Sequence, residues 1–189
     1  MNSSSKNCNN NSTNSNQFVQ SCPTILACTG VTAPVTITTA SAANITAANP
    51  LTVSTLNINN SCLDNPCTIL DFDSTITAAA AADSVTLQVF KINLCNSTAP
   101  AIPVGSSWTF TAGAAETQSF NISACDCNNS MCNCKCCNDG NECYSYVVRA
   151  IAATVATGTL TINNPTIKAI QEYSNRIHNQ QYSIFGAFQ

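Results

Sequence analysis

From Cys22 to about Asn164 the chain consists of short runs of Thr, Val and Ile broken by Asn, Pro, Gly and Asp. This rhythm excludes most architectures. β-branched residues suit a pleated, half-buried surface, and the residues between the runs favour reversals, so the text reads as many short strands joined by turns. Eight runs qualify: Val35 to Thr39, Leu51 to Ile58, Thr68 to Thr77, Ser84 to Leu94, Ser107 to Thr111, Thr117 to Ala124, Tyr144 to Ala153 and Thr157 to Ile162. Their number and spacing predict an all-β domain, specifically a two-sheet, jelly-roll-like β-sandwich.

Side chains alternate between the faces of a strand, so apolar residues two apart mark a core face. Leu70, Phe72 and Ile76 form one such set, as do Trp108 with Phe110, Phe120 with Ile122, and Leu160 with Ile162. In Ser84 to Leu94 the apolar parity changes from Val85, Leu87 and Val89 to Phe90, Ile92 and Leu94. A bulge, or burial on both faces, accounts for that. Ala78 to Ala82 has helical propensity but is too short to nucleate a helix, and reads as a loop of small side chains. Pro66, Pro100, Pro103 and Pro165 fall between runs, where a missing N–H does least harm.

The two ends differ from the middle. Residues 1–21 have almost no apolar content and cannot offset their ordering entropy by burial, which makes them a disordered N-terminal connector arm carrying one thiol, Cys8. Residues 22–164 are then the Cys-rich sandwich. Residues 165–189 form a C-terminal tail in which Ile167, Ile170, Ser174 and Ile177 share a helical face and Ile184, Phe185 and Phe188 follow. Either a short helix or an aromatic tail docked on a neighbour fits that pattern.

Six Lys and Arg in 189 residues cannot form the basic stripe that holds a phosphate backbone, which argues against nucleic acid as a partner. No apolar run approaches the roughly 20 residues that span a bilayer, so no membrane is expected either. The Asn/Ser-rich start lacks the basic and apolar regions of a secretory signal. Yet 13 cysteines suit an oxidising compartment. Metal ligation, catalytic thiols, or oxidation after lysis of the producing cell would each reconcile these facts.

The densest motif is CDCNNSMCNCKCCNDGNEC, which holds Cys125, Cys127, Cys132, Cys134, Cys136, Cys137 and Cys143. Repeated C-x-C spacing lets thiolates converge on a soft metal, as in metallothioneins. Disulfides explain it better, because paired C-x2-C knuckles are absent and further cysteines lie far away in sequence. Residues i and i+2 of a strand are too far apart to bond each other, so each C-x-C should reach a different partner strand. Cys62 and Cys67 bracket the turn-forming LDNP; a local bridge, or bridges from both into the cluster, would stabilise the fold. With Cys95, these form the candidate intramolecular set. An odd total leaves at least one thiol for a neighbouring subunit, and Cys8, then Cys22 and Cys28, are the candidates. No metal or other cofactor is expected in the mature protein.

Catalysis has little to stand on. The single His178 lies in the polar tail and supports no nucleophile–base arrangement. Asp71 and Asp73 share a strand face and could act as an acid–base pair or bind calcium, but the solvent face of an amphipathic strand explains them better, since no third oxygen cluster is evident. No glycine-rich phosphate loop is present among six glycines. The chain is not expected to be an enzyme.

CLDNPCTILDFDSTI, SVTLQVFKINLC, PAIPVGSSWTF, QSFNISACDC and ECYSYVVRA together resemble a Cys-rich domain of unknown function from spore-forming clostridia, over roughly residues 60–155. In architecture the chain is also similar to the endospore appendage subunits of bacilli, small jelly-roll proteins whose N-terminal connector carries cysteines and cross-links stacked subunits. It departs from them in its single Cys8 before Cys22, its cysteine cluster and its longer tail. The resemblance implies a structural subunit that assembles with copies of itself, and with other spore-surface proteins, into a disulfide-linked extracellular filament or spore surface layer. Such a subunit, made in the mother cell, needs no signal peptide, and lysis would oxidise its thiols. A metallothionein-like metal-binding protein and a monomeric adhesin or carbohydrate-binding sandwich are the alternatives.

Overall fold

Nine antiparallel strands and one helical turn make up the described part of the chain, which in this computed structural model comprises residues 25–30, 32–58, 66–94, 98–127 and 144–173. The strands are β1 (Ile25–Cys28), β2 (Val35–Thr38), β3 (Leu51–Ile58), β4 (Pro66–Ala78), β5 (Ser84–Asn93), β6 (Ile102–Thr111), β7 (Glu116–Asp126), β8 (Tyr144–Thr154) and β9 (Thr159–Tyr173). The single turn of helix, α1 (Thr39–Ala42), forms because Thr38 and Ser41 cap it reciprocally: Ser41 N–H donates to Thr38 Oγ1 and Thr38 N–H to Ser41 Oγ.

One sheet runs β1-β9-β4-β7, with β2 also paired to β9; the other runs β3-β8-β5-β6. Only β5 and β6 are neighbours both in sequence and in a sheet. From β2 onward, every other connection crosses from one sheet to the other, so the inward faces of both sheets are closed over one core. The result is the expected two-sheet, jelly-roll-like β-sandwich. Phe110 of β6 and Phe120 of β7 meet edge to face, with ring centroids 6.4 Å apart, where the two sheets come together along one side.

Alternation places the core as the sequence implies. Leu70, Phe72, Ile76, Ile122, Leu160 and Ile162 are buried from one sheet, and Val85, Leu87, Val89, Tyr146, Val148 and Ala150 from the other. Trp108 and Phe120 pack against this cluster while remaining partly exposed. In β5 the pairing slips against β8 between Thr86 and Leu87 and against β6 between Leu87 and Val89, and Phe90 and Ile92 are half-buried on the other face. The change of parity thus reflects both a bulge and two-sided burial. Across that bulge Gly105 adopts φ +69°, and its carbonyl accepts Gln88 Nε2 at 3.0 Å. Residues 79–82 form the expected loop, tied down by the fully buried Asp83. One carboxylate oxygen of Asp83 accepts Ala80 N–H at 3.0 Å and the other Ala156 N–H at 2.8 Å.

Two expectations need correction. The sandwich does not stop at Asn164, because β9 continues through Pro165 to Tyr173, so residues 165–173 are strand and not helix or tail. A bulge makes this possible: Asp73 pairs with Thr166 and Thr75 with Asn163, so Asn164 and Pro165 together face Ser74. Asn164 takes the left-handed conformation at φ 51°, and the missing N–H of proline falls where no ladder bond is required. Beyond the bulge, Ile167 and Ala169 point inward and Lys168 and Ile170 outward. The second correction is β1, a strand ahead of the first run expected at Val35, which pairs with the C-terminal part of β9. The arm 1–21 and the tail beyond Tyr173 lie outside the described residues.

Phe72 is 1% exposed at the centre of this core. Phe72→Ala should therefore destabilise the domain by about 3–5 kcal/mol through lost burial and the cavity left behind. The measurement is a drop in urea midpoint at unchanged slope.

Candidate functional site

The outer face of the five-stranded sheet gathers the chemistry. Outward residues of β1, β9, β4 and β7 align in two cross-strand rows, Leu26–Ile170–Ile69–Cys125 and Cys28–Lys168–Asp71–Ser123. Two residues beyond Ile69 and Cys125, where the register Thr68↔Asp126 places Cys67 opposite Cys127, those two cysteines form a disulfide. Cys67 therefore bridges into the cluster and not to Cys62. Its partner is one half of a C-x-C pair and directly follows β7, the strand beside β4, in keeping with the spacing argument.

The other half, Cys125, expected to be intramolecular, is exposed and free among the described residues. On β4 it faces Ile69, so it meets no cysteine on that strand. Cys28, expected to be intermolecular, is also free and exposed. These two thiols occupy β1 and β7, the opposite edges of one sheet, three strand spacings or about 14 Å across it and offset by two residues along it. The apolar row that ends at Cys125 is partly open, with Leu26 76% and Ile69 37% exposed. Cys8, Cys22, Cys62, Cys95, Cys132, Cys134, Cys136, Cys137, Cys143 and His178 lie outside the described residues.

Asp71 and Asp73 take the solvent-face role. Asp71 accepts Ser123 Oγ–H at 2.6 Å; Asp73 accepts Asn121 Nδ2 at 2.5 Å and pairs with Lys168 Nζ at 2.9 Å. These donors from both neighbouring strands, Lys168 first and Asn121 second, hold the Asp73 carboxyl below its ordinary range, and Asp73 in turn raises Lys168. Each carboxylate is thus occupied by cross-strand partners. Among the described residues, no group of three His, Cys, Asp or Glu is arranged to hold a metal.

Sequence reasoning missed a buried polar cluster on the inward side of the same end. Lys91 of β5 and Asp126 of β7 approach across the two sheets, with Nζ 2.7 Å from Oδ2 and both side chains 9% exposed. Tyr146 donates its hydroxyl to the same Oδ2 at 2.8 Å, and Lys91 Nζ lies 4.3 Å from the Tyr144 ring centroid. Burial, and then the charge of Asp126, push the Tyr146 phenol far above its usual pKa, so it stays protonated and acts as a donor. Beside the pair is a cavity of about 500 Å³ whose walls include Pro103, Val104, Cys125 and Tyr144. Residues 35 apart in sequence give no local signal. The available hint was parity: Lys91 continues the inward series Val85, Leu87, Val89, and Asp126 the series Ile122, Ala124.

A β-sandwich whose described cysteines all lie along one sheet is thus the class that fold and site define. The chain belongs to the family described as a domain of unknown function, DUF4489, which it matches over residues 22–171. No curated protein matches it. Among solved structures it is similar to a chain in the structure of infectious bursal disease virus, Gx strain, at 10% identity and a TM-score of 0.34, covering 80% of this chain and 38% of that one.

The Asp73 interactions set a pH dependence with a definite sign. A carboxyl whose pKa is depressed on folding contributes stability above its unfolded value of about 3.9, and this is lost as pH falls through the lower, folded value. Asp73→Asn should therefore be less stable than the parent at neutral pH and converge with it in strong acid, as read from urea midpoints at both pH values.

Proposed function

We propose that this chain is a structural subunit that assembles with copies of itself into a disulfide-linked extracellular filament, of the kind found as bacterial endospore appendages or spore surface layers. The observation that carries this reading is the pair of free, exposed thiols on opposite edge strands of one sheet. A patch on one edge that meets a different patch on the next copy is a heterologous contact, and such contacts propagate into open polymers when they do not close into rings. Edge backbone that is unpaired among the described residues and the partly open apolar row from Leu26 to Cys125 favour the same association. The arm with Cys8 is the second proposed linker: about twenty extended residues reach roughly 65 Å, far enough to bond a subunit beyond the nearest one.

The metallothionein-like alternative has lost one cluster thiol, Cys127, to a disulfide. Electrophoresis under denaturing conditions, with and without reductant, separates the readings. Under the filament reading the native material gives a ladder or fails to enter the gel without reductant, and collapses to the 19.8 kDa subunit with it. Replacing Cys28 and Cys125 together by Ser, or deleting residues 1–21, should leave a soluble folded domain that forms no long resistant fibres in electron micrographs. A monomer that keeps stoichiometric zinc or copper would overturn the filament in favour of metal binding.

A further inference from the structure

The interior holds two charged arrangements, and they differ in what they do for the fold. Asp83 satisfies backbone N–H groups in two turns that otherwise have no partner, so its burial is explained. Lys91 and Asp126 instead pair side chain to side chain across the core, with Tyr146 as a further donor to Asp126. A buried ion pair costs heavily in desolvation, and well-packed apolar residues of similar size usually serve stability as well or better. Here the pair joins opposite sheets and has a phenol directed at one of its reacting oxygens.

We propose that Lys91 and Asp126 are reactants, joined by the chain itself in an intramolecular isopeptide bond that staples β5 to β7. The ammonium proton passes from Nζ to Oδ2 over the existing 2.7 Å hydrogen bond, leaving a neutral amine beside a carboxylic acid. The neutral amine is the nucleophilic form, and the Tyr144 and Tyr146 ring centroids lie 4.3 and 6.0 Å from Nζ. The amine nitrogen then attacks Cγ of Asp126. The C–N bond forms, Cγ–Oδ2 breaks, and Oδ2 leaves as water with one of the protons that the nitrogen sheds. Tyr146 O–H, already donating to Oδ2 at 2.8 Å, assists that departure and is reprotonated from the nitrogen. The cavity bordering both residues receives the water. Ammonium plus carboxylate becomes amide plus water, so atoms and charge balance without oxidant or cofactor. The fixed placement of both groups supplies the proximity that makes such a condensation effectively unimolecular. Two buried charges are replaced by one neutral amide. The inference does not depend on filament formation.

Peptide mapping of the full-length protein, reduced and denatured, tests it. The expected intact mass is one water below the sequence mass. Trypsin should fail to cut after Lys91, and a branched peptide should carry Lys91 and Asp126 together. Lys91→Met and Asp126→Ala chains should each show the full mass of their own sequences. Because Asp139–Gly140 can also lose water by cyclising, the branched peptide decides. Linear peptides with cleavage at Lys91 and an intact Asp126 overturn the proposal, whatever the total mass, and leave an ion pair only. This readout on the parent protein does not depend on either variant folding.

Discussion

The strand β4 is held between β7 and β9 in a register set by its inward residues, and the rest of the outer face depends on that register. Leu70, Phe72 and Ile76 must face the opposing sheet, and a slip of one residue would turn all three to solvent. With the register fixed, Cys67 falls opposite Cys127, Asp71 opposite Ser123, and Cys125 opposite Ile69. The oxidised and free states of these cysteines therefore follow from apolar burial on the reverse side of the same strand.

The polar interior is governed by a second balance. Gln171 donates to Thr68 at 3.0 Å beneath the disulfide, and Tyr146, Asp126 and Lys91 continue the polar region toward the cavity. Polar groups in such a setting gain strength from the low dielectric and are costly if left unpaired. Their concentration at the end bearing the Cys67–Cys127 bridge makes that end chemically distinct from the aliphatic centre around Phe72, Ile122 and Val148.

The sandwich and its core were legible because period-2 alternation is local: each run states its buried face within five or six residues. Pairing was not legible, since nothing in LDFDS names Asn121 or Lys168 as partners. Pro165 misled because a proline normally ends a strand, and only the combination of Asn164 in a left-handed conformation with a bulge opposite Ser74 lets β9 pass through it. The spacing of Ile167 and Ile170 suits a helix as well as it suits opposite faces of a strand, and only the neighbours β1 and β4 decide between them. The cysteine motif revealed the one described bridge in kind, cross-strand and not i to i+2, but not its partner.

The short strand β1 also has a mechanical meaning. It lies antiparallel to β9 over four residue pairs, and just beyond it Thr29 N–H donates to the Ile167 carbonyl while Ile167 N–H donates to Thr29 Oγ1, each at 2.9 Å. Thr32 Oγ1 then donates to the Pro165 carbonyl at 2.6 Å. Bonds in an antiparallel ladder run perpendicular to the strands, so tension drawn along β1 shears the whole set at once and does not unzip it pair by pair. A pull on the chain ahead of Ile25 is thereby passed to β9, the central strand of its sheet, and from there across both neighbours into the core.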